Sequence, residues 1–467
     1  MLFNSIDFLI FLPIVFFFYW FILKNSLKLQ NFWLLAMSYI FYGWWDWRFL
    51  CLLLFSTGLD YFSGLKIHNS PNEKGRKFWL ILSIGINLGF LGFFKYYNFF
   101  IEGFSQMLSQ FHLTINPWTL SIILPVGISF YTFHGLSYVF DIYNRRIPPT
   151  HNWVNYSLFV SYFPLLIAGP IERADHLLPQ IEKPRFFSYA SARKGFSLII
   201  WGLFKKIVIA DTLAPFVNEI FGNYQHLAGG ALILGALYFS IQIYCDFSGY
   251  SDIALGVSKL FGIELFVNFK FPYFSRTIPE FWKRWHISLS SWFRDYVYIP
   301  LGGSKKSKTV ALRNTFIIFI ISGFWHGANY TFIFWGLIHA VFFLPFFLLD
   351  LGKYKSDSSW STNKWYPSWL EVIGIIFTFS VVTFAWIFFR AETLGDAVNY
   401  IKHINLNFGN QFRSGLIYVA GFLILDFLYS MAALEKYKQN SITLVILTLF
   451  ILNYWNASGD NFIYFQF

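Results

Sequence analysis

The chain has 467 residues, 56% of them hydrophobic and 13% charged, with a mean hydropathy of +0.50. A soluble domain carries about 25% charged residues, so this composition excludes an ordinary cytosolic protein, and 23% aromatic residues fit lipid-facing and interfacial surface. The formal charge of +11 is spread over short loops between hydrophobic runs, which argues against nucleic acid as a partner and for loops that face anionic membrane lipid.

A spanning helix needs about 20 apolar residues, which leaves room for roughly ten to thirteen spans in an all-α polytopic protein. The first, residues 2–23, has no Lys or Arg before it, Asp7 near its start and no small-residue cleavage site after it. It reads as an uncleaved helix rather than a secretory signal. Runs at 32–45 and 49–65 follow, interrupted by Asp46 and Arg48. Lys24 and Lys28 precede these two runs, and Lys66, Lys74, Arg76 and Lys77 follow them. If both basic loops face the cytoplasm, the N-terminus is extracytoplasmic.

A run at 78–100 carries Lys95 near its end, and a run at 120–142 is unusually polar, with Pro125, Gly127, His134, Gly135 and Asp141. The run at 155–167 ends in Gly169 and Pro170, with Glu172 and Arg173 at once behind them. That break is either a plain loop or one that lines a cavity. Further spans are read at 196–211 and 228–244.

From Cys245 the chain places Asp246, Ser248, Ser251 and Asp252 in apolar surroundings. A carboxylate at mid-membrane costs about 2.5–3.5 kcal/mol and needs a partner. The two aspartates lie about 240° apart on a helix, so they do not form a catalytic pair. They are expected to anchor the neighbouring Arg-rich segment. Spans at 369–389, 415–434 and 442–454 complete the chain, and the polar stretch 350–367 reads as an inter-helix loop. There is no internal repeat, and one domain over 1–467 fits better than two. Cys51 and Cys245 sit in apolar runs without metal-ligand spacing and read as buried small side chains; no metal site is expected.

The segment 272–339 stands apart. Thr277 can cap a helix, with Pro279 in its first turn and Glu280 at the reciprocal capping position. On a continuous helix Trp285, Leu289, Trp292 and Tyr296 make an apolar stripe, Lys283, Ser290 and Arg294 a polar face, and His286 lies at the edge of that face. This predicts an amphipathic surface helix. Gly302 and Gly303 end it, and Lys305, Lys306 and Lys308 put that end in the cytoplasm.

His326 lies instead in a membrane-grade run, where burial favours the neutral imidazole that a general base needs. Gly323 and Gly327 would let another chain or a substrate approach its backbone. An interhelical hydrogen bond is the other reading of such a histidine. His339 lies about 140° away on a continuous helix and reads as structural, while Asn329 and Tyr330 fall nearer the face of His326.

PEFWKRWHISLSSWFRDYVYIPLGG followed by GFWHGANYTFIFWGLIHA resembles the membrane-bound O-acyltransferase family. It is most similar to the bacterial branch of alginate and peptidoglycan O-acetylation proteins and the teichoic-acid D-alanyl transferase. FPLLIAGPIERADHLLPQ, YCDFSGYSDIALGVSKLFGIELFVNFKFPYFSRTIPEFW and the opening MLFNSIDFLIFLPIVFFFYW carry the likeness over nearly the whole chain. The resemblance implies a ring of roughly 11–13 transmembrane and re-entrant helices around a central tunnel. It implies a multi-pass protein of the bacterial cytoplasmic (inner) membrane, with His326 near the tunnel's middle and His286 toward its cytoplasmic funnel.

On that reading His326 is the catalytic base and His286 a second catalytic residue or a group that positions the donor. Asn329 is a candidate oxyanion contact. Lys283, Arg284 and Arg294 would hold an anionic donor such as the phosphates of acetyl-CoA, or else snorkel to lipid phosphates. No bound cofactor is implied, since an acyl thioester is a substrate. The acceptor would be a hydroxyl of an envelope polysaccharide such as alginate or peptidoglycan. Two alternatives stand beside it. The chain could export the acyl unit to a separate extracytoplasmic SGNH-type acetyltransferase, or it could transfer D-alanine to teichoic acid.

Overall fold

The computed structural model describes residues 1–113, 118–167, 169–304, 306–349, 367–405, 407, 409, 411–431, 439–455 and 462–463. The stretch 350–366, read above as a loop, and Lys305 lie outside the described residues. Among the described residues every regular element is helical. Trp47–Asn69, Glu73–Ser109, Gly229–Leu260, Trp369–Arg390 and Arg413–Ser430 are long and apolar enough to cross a membrane, and Ile6–Ile22, Tyr330–Phe346 and Ser441–Tyr454 are shorter apolar helices. The protein is an all-α polytopic membrane protein.

The chain divides into two compact units, one of residues 1–192 with 257–266, the other of 193–256 with 267–467. In the first unit the helices are α1 (Ile6–Phe17), α2 (Leu27–Gly43), α3 (Trp47–Asn69), α4 (Glu73–Leu91), α5 (Tyr97–Ser109), α6 (Ile128–Tyr143), α7 (Trp153–Ser161), α8 (Phe163–Leu166) and α9 (Ala174–Glu182). Most begin where a short polar side chain can hold a free backbone N–H. Ser5, Ser26, Asp46, Asn72 and Asn152 cap α1, α2, α3, α4 and α7 in this way, and each such cap stabilises by about 1 kcal/mol. Asp46 and Arg48, which look like an interruption, are therefore the start of a helix. The polar run at 120–142 is not one span. Residues 118–127 are non-helical and α6 begins after Gly127, whose φ of 75° favours glycine.

Two buried carboxylates inside this unit have partners. The buried Asp60 carboxylate accepts from Ser83 Oγ at 2.6 Å and Asn87 Nδ2 at 2.8 Å. Glu172, fully buried, accepts from Phe266 N at 2.5 Å and bonds His176 Nδ1 at 2.7 Å, while its own N–H donates to His134 Nε2 at 3.1 Å. The Glu172 hydrogen bond raises the pKa of His176 above its ordinary value. The Gly169–Pro170 break is thus a fastened loop.

The second unit holds α11 (Asp211–Gly222), α13 (Ile278–Arg284), α14 (Ile287–Phe293), α15 (Lys308–His326), α16 (Tyr330–Leu348), α17 (Trp369–Arg390), α18 (Leu394–His403), α19 (Leu416–Ser430) and α20 (Ser441–Tyr454). Most of α10 (Tyr189–Leu203) and of the 32-residue α12 (Gly229–Leu260) also belongs here. A π-helix, Phe204–Ala210, follows α10 and turns two neighbouring lysines inward. Lys205 Nζ lies 2.8 Å from Asp252 and Lys206 Nζ 2.8 Å from Asp246 and 2.7 Å from Asp211, with both side chains at most 4% exposed. The aspartates of α12 therefore pair with lysines, where arginines were expected. Their different faces explain the two separate partners.

Of the cysteines, Cys245 is buried as expected, but Cys51 is exposed on α3. An apolar run in a membrane protein need not be buried, since side chains turned to lipid are apolar too. The described residues contain no cluster able to hold a metal ion.

Candidate active site

Thr277 caps α13 as its sequence suggests, accepting from Glu280 N at 3.2 Å. Glu280, however, reaches back one residue further than a capping box requires. Its carboxylate accepts from Arg276 N at 2.8 Å, holds the Arg276 guanidinium at 3.0 Å, and takes Arg284 at 2.6 Å. Arg276 also binds Glu371 of α17 at 2.8 Å.

The predicted continuous helix then breaks. Trp285 is extended, and His286 takes φ 43° and ψ 55°, the left-handed region. A break inside a membrane protein frees backbone groups that must find partners. The strap at 268–270 supplies them. Lys270 N donates to Arg284 O at 3.0 Å, and Ile287 N donates to Asn268 O at 3.0 Å. Ser288 Oγ donates to Asn268 Oδ1 at 2.6 Å. Helical periodicity still found the stripe, since Trp285, Leu289, Trp292 and Tyr296 are all buried. It misplaced His286, which is fully buried rather than at a polar edge.

His326 is the last residue of α15, and it is 3% exposed. The helix does not continue through it. Gly327 is extended, and Asn329 starts α16. What comes close to Gly323 and Gly327 is the same chain. A Cβ on Gly323 would stand 2.2 Å from Phe332 O, one on Gly327 2.0 Å from the Phe332 ring, and one on Gly336 2.2 Å from Phe319 O. The glycines thus let α15 and α16 lie backbone to backbone. Asn329 is a cap rather than an oxyanion contact: its Oδ1 accepts from Thr331 N at 3.1 Å, and its Nδ2 donates to Glu392 O at 2.7 Å.

These two breaks bring the histidines together. The ring centroids of His286 and His326 are 6.4 Å apart. Around His326 stand Trp325 at 5.0 Å, Trp335 at 5.1 Å and Phe389 at 5.4 Å. Phe247 of α12 meets the His286 ring edge-on at 4.7 Å. Neither ring nitrogen of His286 has a hydrogen-bond partner among the described residues. His339 accepts from Trp282 Nε1 at 3.3 Å and packs on Trp335, as a structural histidine would.

The basic residues lie apart from this centre. Lys283 is exposed. Arg284 is bound to Glu280, and burial draws its pKa below the ordinary arginine value despite that partner. Arg294 binds Asp295 at 2.7 Å, which holds its guanidinium the more firmly protonated. Arg294 also lines a mostly apolar cavity of about 290 Å³, between Trp282, Leu289 and Phe293 on one side and Thr315, Phe319 and Ser322 on the other. Ser322 lies one turn before His326 on α15.

Residues 79–388 match the family model of MBOAT, the membrane-bound O-acyltransferase family. The chain belongs to the membrane-bound O-acyltransferase family. It is similar to a Pseudomonas putida protein named "Probable alginate O-acetylase AlgI", 40% identical over 84% of this chain and 78% of that one. It is also similar to the "Peptidoglycan O-acetyltransferase" of Helicobacter pylori, 37% identical over 86% and 79%. The "Teichoic acid D-alanyltransferase" of Bacillus subtilis is 30% identical over 58% and 70%. The protein is a membrane O-acyltransferase. The family likeness was legible in the two histidine motifs. The aromatic wall around the two histidines was not, because Phe247, Trp335 and Phe389 come from three helices whose order in sequence says nothing of their meeting.

Proposed function

We propose that the protein transfers acetyl groups from a cytoplasmic thioester, acetyl-CoA, to hydroxyls of a cell-envelope polysaccharide such as alginate or peptidoglycan. The membrane is the bacterial cytoplasmic membrane, with the N-terminus outside and the basic end of α15 inside. The observation that carries the reading is the buried pair of imidazoles. Two distant segments each break their helix and bring a histidine within 6.4 Å of the other, and one of the two keeps both nitrogens uncommitted. A break of this kind is sustained only by surrounding structure, and such strained residues cluster at functional sites.

His326 takes the proton of the acceptor hydroxyl while that oxygen bonds to the acyl carbon. The carbon–sulfur bond breaks, its electrons leave on sulfur, and the thiolate takes up the proton that His326 accepted. A His286 ring N–H holds the acyl carbonyl oxygen as charge develops there. The cavity beside Arg294 suits the thioester arm, with Lys283 and Arg294 near the donor's phosphates. Arg284, already bound to Glu280, serves mainly to hold α13 in place.

His326→Ala is expected to lower acetyl incorporation into envelope polymers by about 10²–10⁴-fold in cells that retain the protein. Unchanged incorporation would remove the base and leave a conduit that hands acyl units to a separate extracytoplasmic SGNH-type transferase.

A further inference from the structure

Three buried N–H donors stand in the aromatic wall without an acceptor among the described residues. Trp335 and His339 are fully buried and Trp386 is 1% exposed. The indole N–H groups of Trp335 and Trp386 have no hydrogen-bond partner there. His339 Nδ1 accepts from Trp282, so its proton lies on Nε2, and Nε2 has no partner either. Buried polar groups are nearly always paired, and one that is not calls for an explanation. The surrounding ring faces do not supply it, because a ring face takes up an N–H only weakly.

Of the three, Trp335 stands against His326, ring to ring at 5.1 Å and 85°. Trp386 stacks on Trp335 at 5.6 Å, and His339 packs on it at 5.0 Å. The indole is also held rigidly. Its neighbour Gly336 lies so close to α15 that an added Cβ would stand 2.2 Å from Phe319 O, so backbone contact fixes this turn of α16. The cavity assigned above to the thioester arm is lined by Trp282, which meets Trp335 at 5.7 Å, and by Ser322, one turn before His326. An acyl group carried on that arm past Trp282 comes within reach of Trp335 and His326 together. The distances agree. A hydroxyl oxygen lies about 2.6–3.2 Å from its base and about 3–3.5 Å from the carbon it attacks. The acyl oxygen is then within a few ångströms of the His326 ring, where Trp335 stands.

We propose that Trp335 is a further catalytic residue, whose indole N–H donates to the acyl carbonyl oxygen as a second donor beside His286. The proposal rests on the acyl-transfer reading above. As the acceptor oxygen bonds to the acyl carbon, the π pair of the carbonyl moves onto its oxygen. It returns when the carbon–sulfur bond breaks and that pair leaves on sulfur. A fixed donor in a water-free site stabilises the oxygen while it carries the charge. An indole suits the task, since it donates only and cannot take the proton meant for His326.

The test compares three variants in cells that retain the protein. Trp335→Phe keeps an apolar ring and removes the N–H, and should lower acetyl incorporation by about 10²–10³-fold, the usual cost of one such donor. Trp335→His fits the wall less well but restores an N–H, and should transfer faster than Trp335→Phe. Trp386→Phe removes an equally buried indole one layer back and should keep most of the incorporation. If Trp335→His does no better than Trp335→Phe, or Trp386→Phe falls as far, the indole is only packing and the proposal is overturned. A second readout needs no turnover. Infrared spectra are taken of the purified full chain in detergent with acetyl-CoA labelled with heavy carbon at its carbonyl. A hydrogen bond to the carbonyl oxygen lowers its stretching band. Trp335→Phe should move the band back toward that of free acetyl-CoA, and Trp386→Phe should not. Where a variant folds poorly, the fraction recovered decides, and a band that Trp335→Phe leaves unmoved overturns the proposal. Failure of the acyl-transfer reading shows separately, as no bound band in the unaltered protein or as incorporation that His326→Ala leaves intact.

Discussion

His286 sits in a backbone region that costs an L-residue about 1–2 kcal/mol and costs glycine almost nothing. That separates its backbone from its side chain experimentally. His286→Gly should melt higher than His286→Ala by about 1 kcal/mol, because only glycine relieves the left-handed conformation. Both should be equally inactive if the imidazole does the chemistry. A glycine variant with near-normal transfer would reduce His286 to a turn residue. The identity of both histidines was legible in the sequence, because each stands in a distinctive motif. Their meeting was not, because a helical wheel assumes the helix continues. Asn329 shows the same limit: its nearness to His326 on the wheel vanished once α15 ended at His326 and Asn329 became a cap.

Among the elements, the α15–α16 hairpin is the most constrained. An added Cβ at Gly323 would press on a backbone carbonyl, which cannot swing aside as a side chain can. Gly323→Ala is expected to destabilise by about 1–3 kcal/mol or more and to lower activity with it. Gly85 of α4 is the control, since an added Cβ meets nothing within 4 Å. Gly85→Ala should be neutral or stabilise by about 0.5–1 kcal/mol, the ordinary helix preference for alanine. Equal melting shifts in thermal scans of the two variants would show that the close approach at Gly323 carries no weight. Apolar runs located most helices, and capping residues now mark where they start. Two elements escaped that logic. The 32-residue α12 was read as a span followed by a polar segment, because its aspartates looked like an end when their lysine partners were 47 and 40 residues upstream. The run at 120–142 was read as a span although its first third is not helical.

At the scale of the molecule, composition alone was enough for the membrane class, because no fold in water would expose so much apolar surface. Orientation rests on the basic loops, and it can be read directly. Residues 308 and 326 are separated by about 27 Å along α15 at 1.5 Å per residue, close to the hydrocarbon thickness. Ser304 and Gln225 are exposed near its two ends. With Cys51 and Cys245 replaced by serine, Gln225→Cys should react with an impermeant maleimide on intact cells, and Ser304→Cys only in inverted vesicles. Labelling of both from the same side would remove the basis for a donor side and an acceptor side.

An active centre supplied from both faces of a membrane, as proposed above, would also carry the risk of a leak. Protons and ions would run down their gradients through any continuous file of water between the two faces, and a growing cell could not maintain its voltage. Trp325, Trp335 and Phe389 crowd His326 within 5.4 Å, and Trp335 stacks on Trp386 at 5.6 Å behind them. Those rings leave little room for such a file. On the proposed reading, with His326 as the base, the aromatic wall around it is also electrical insulation, which would let one fixed centre stay open to chemistry from two compartments while shut to charge.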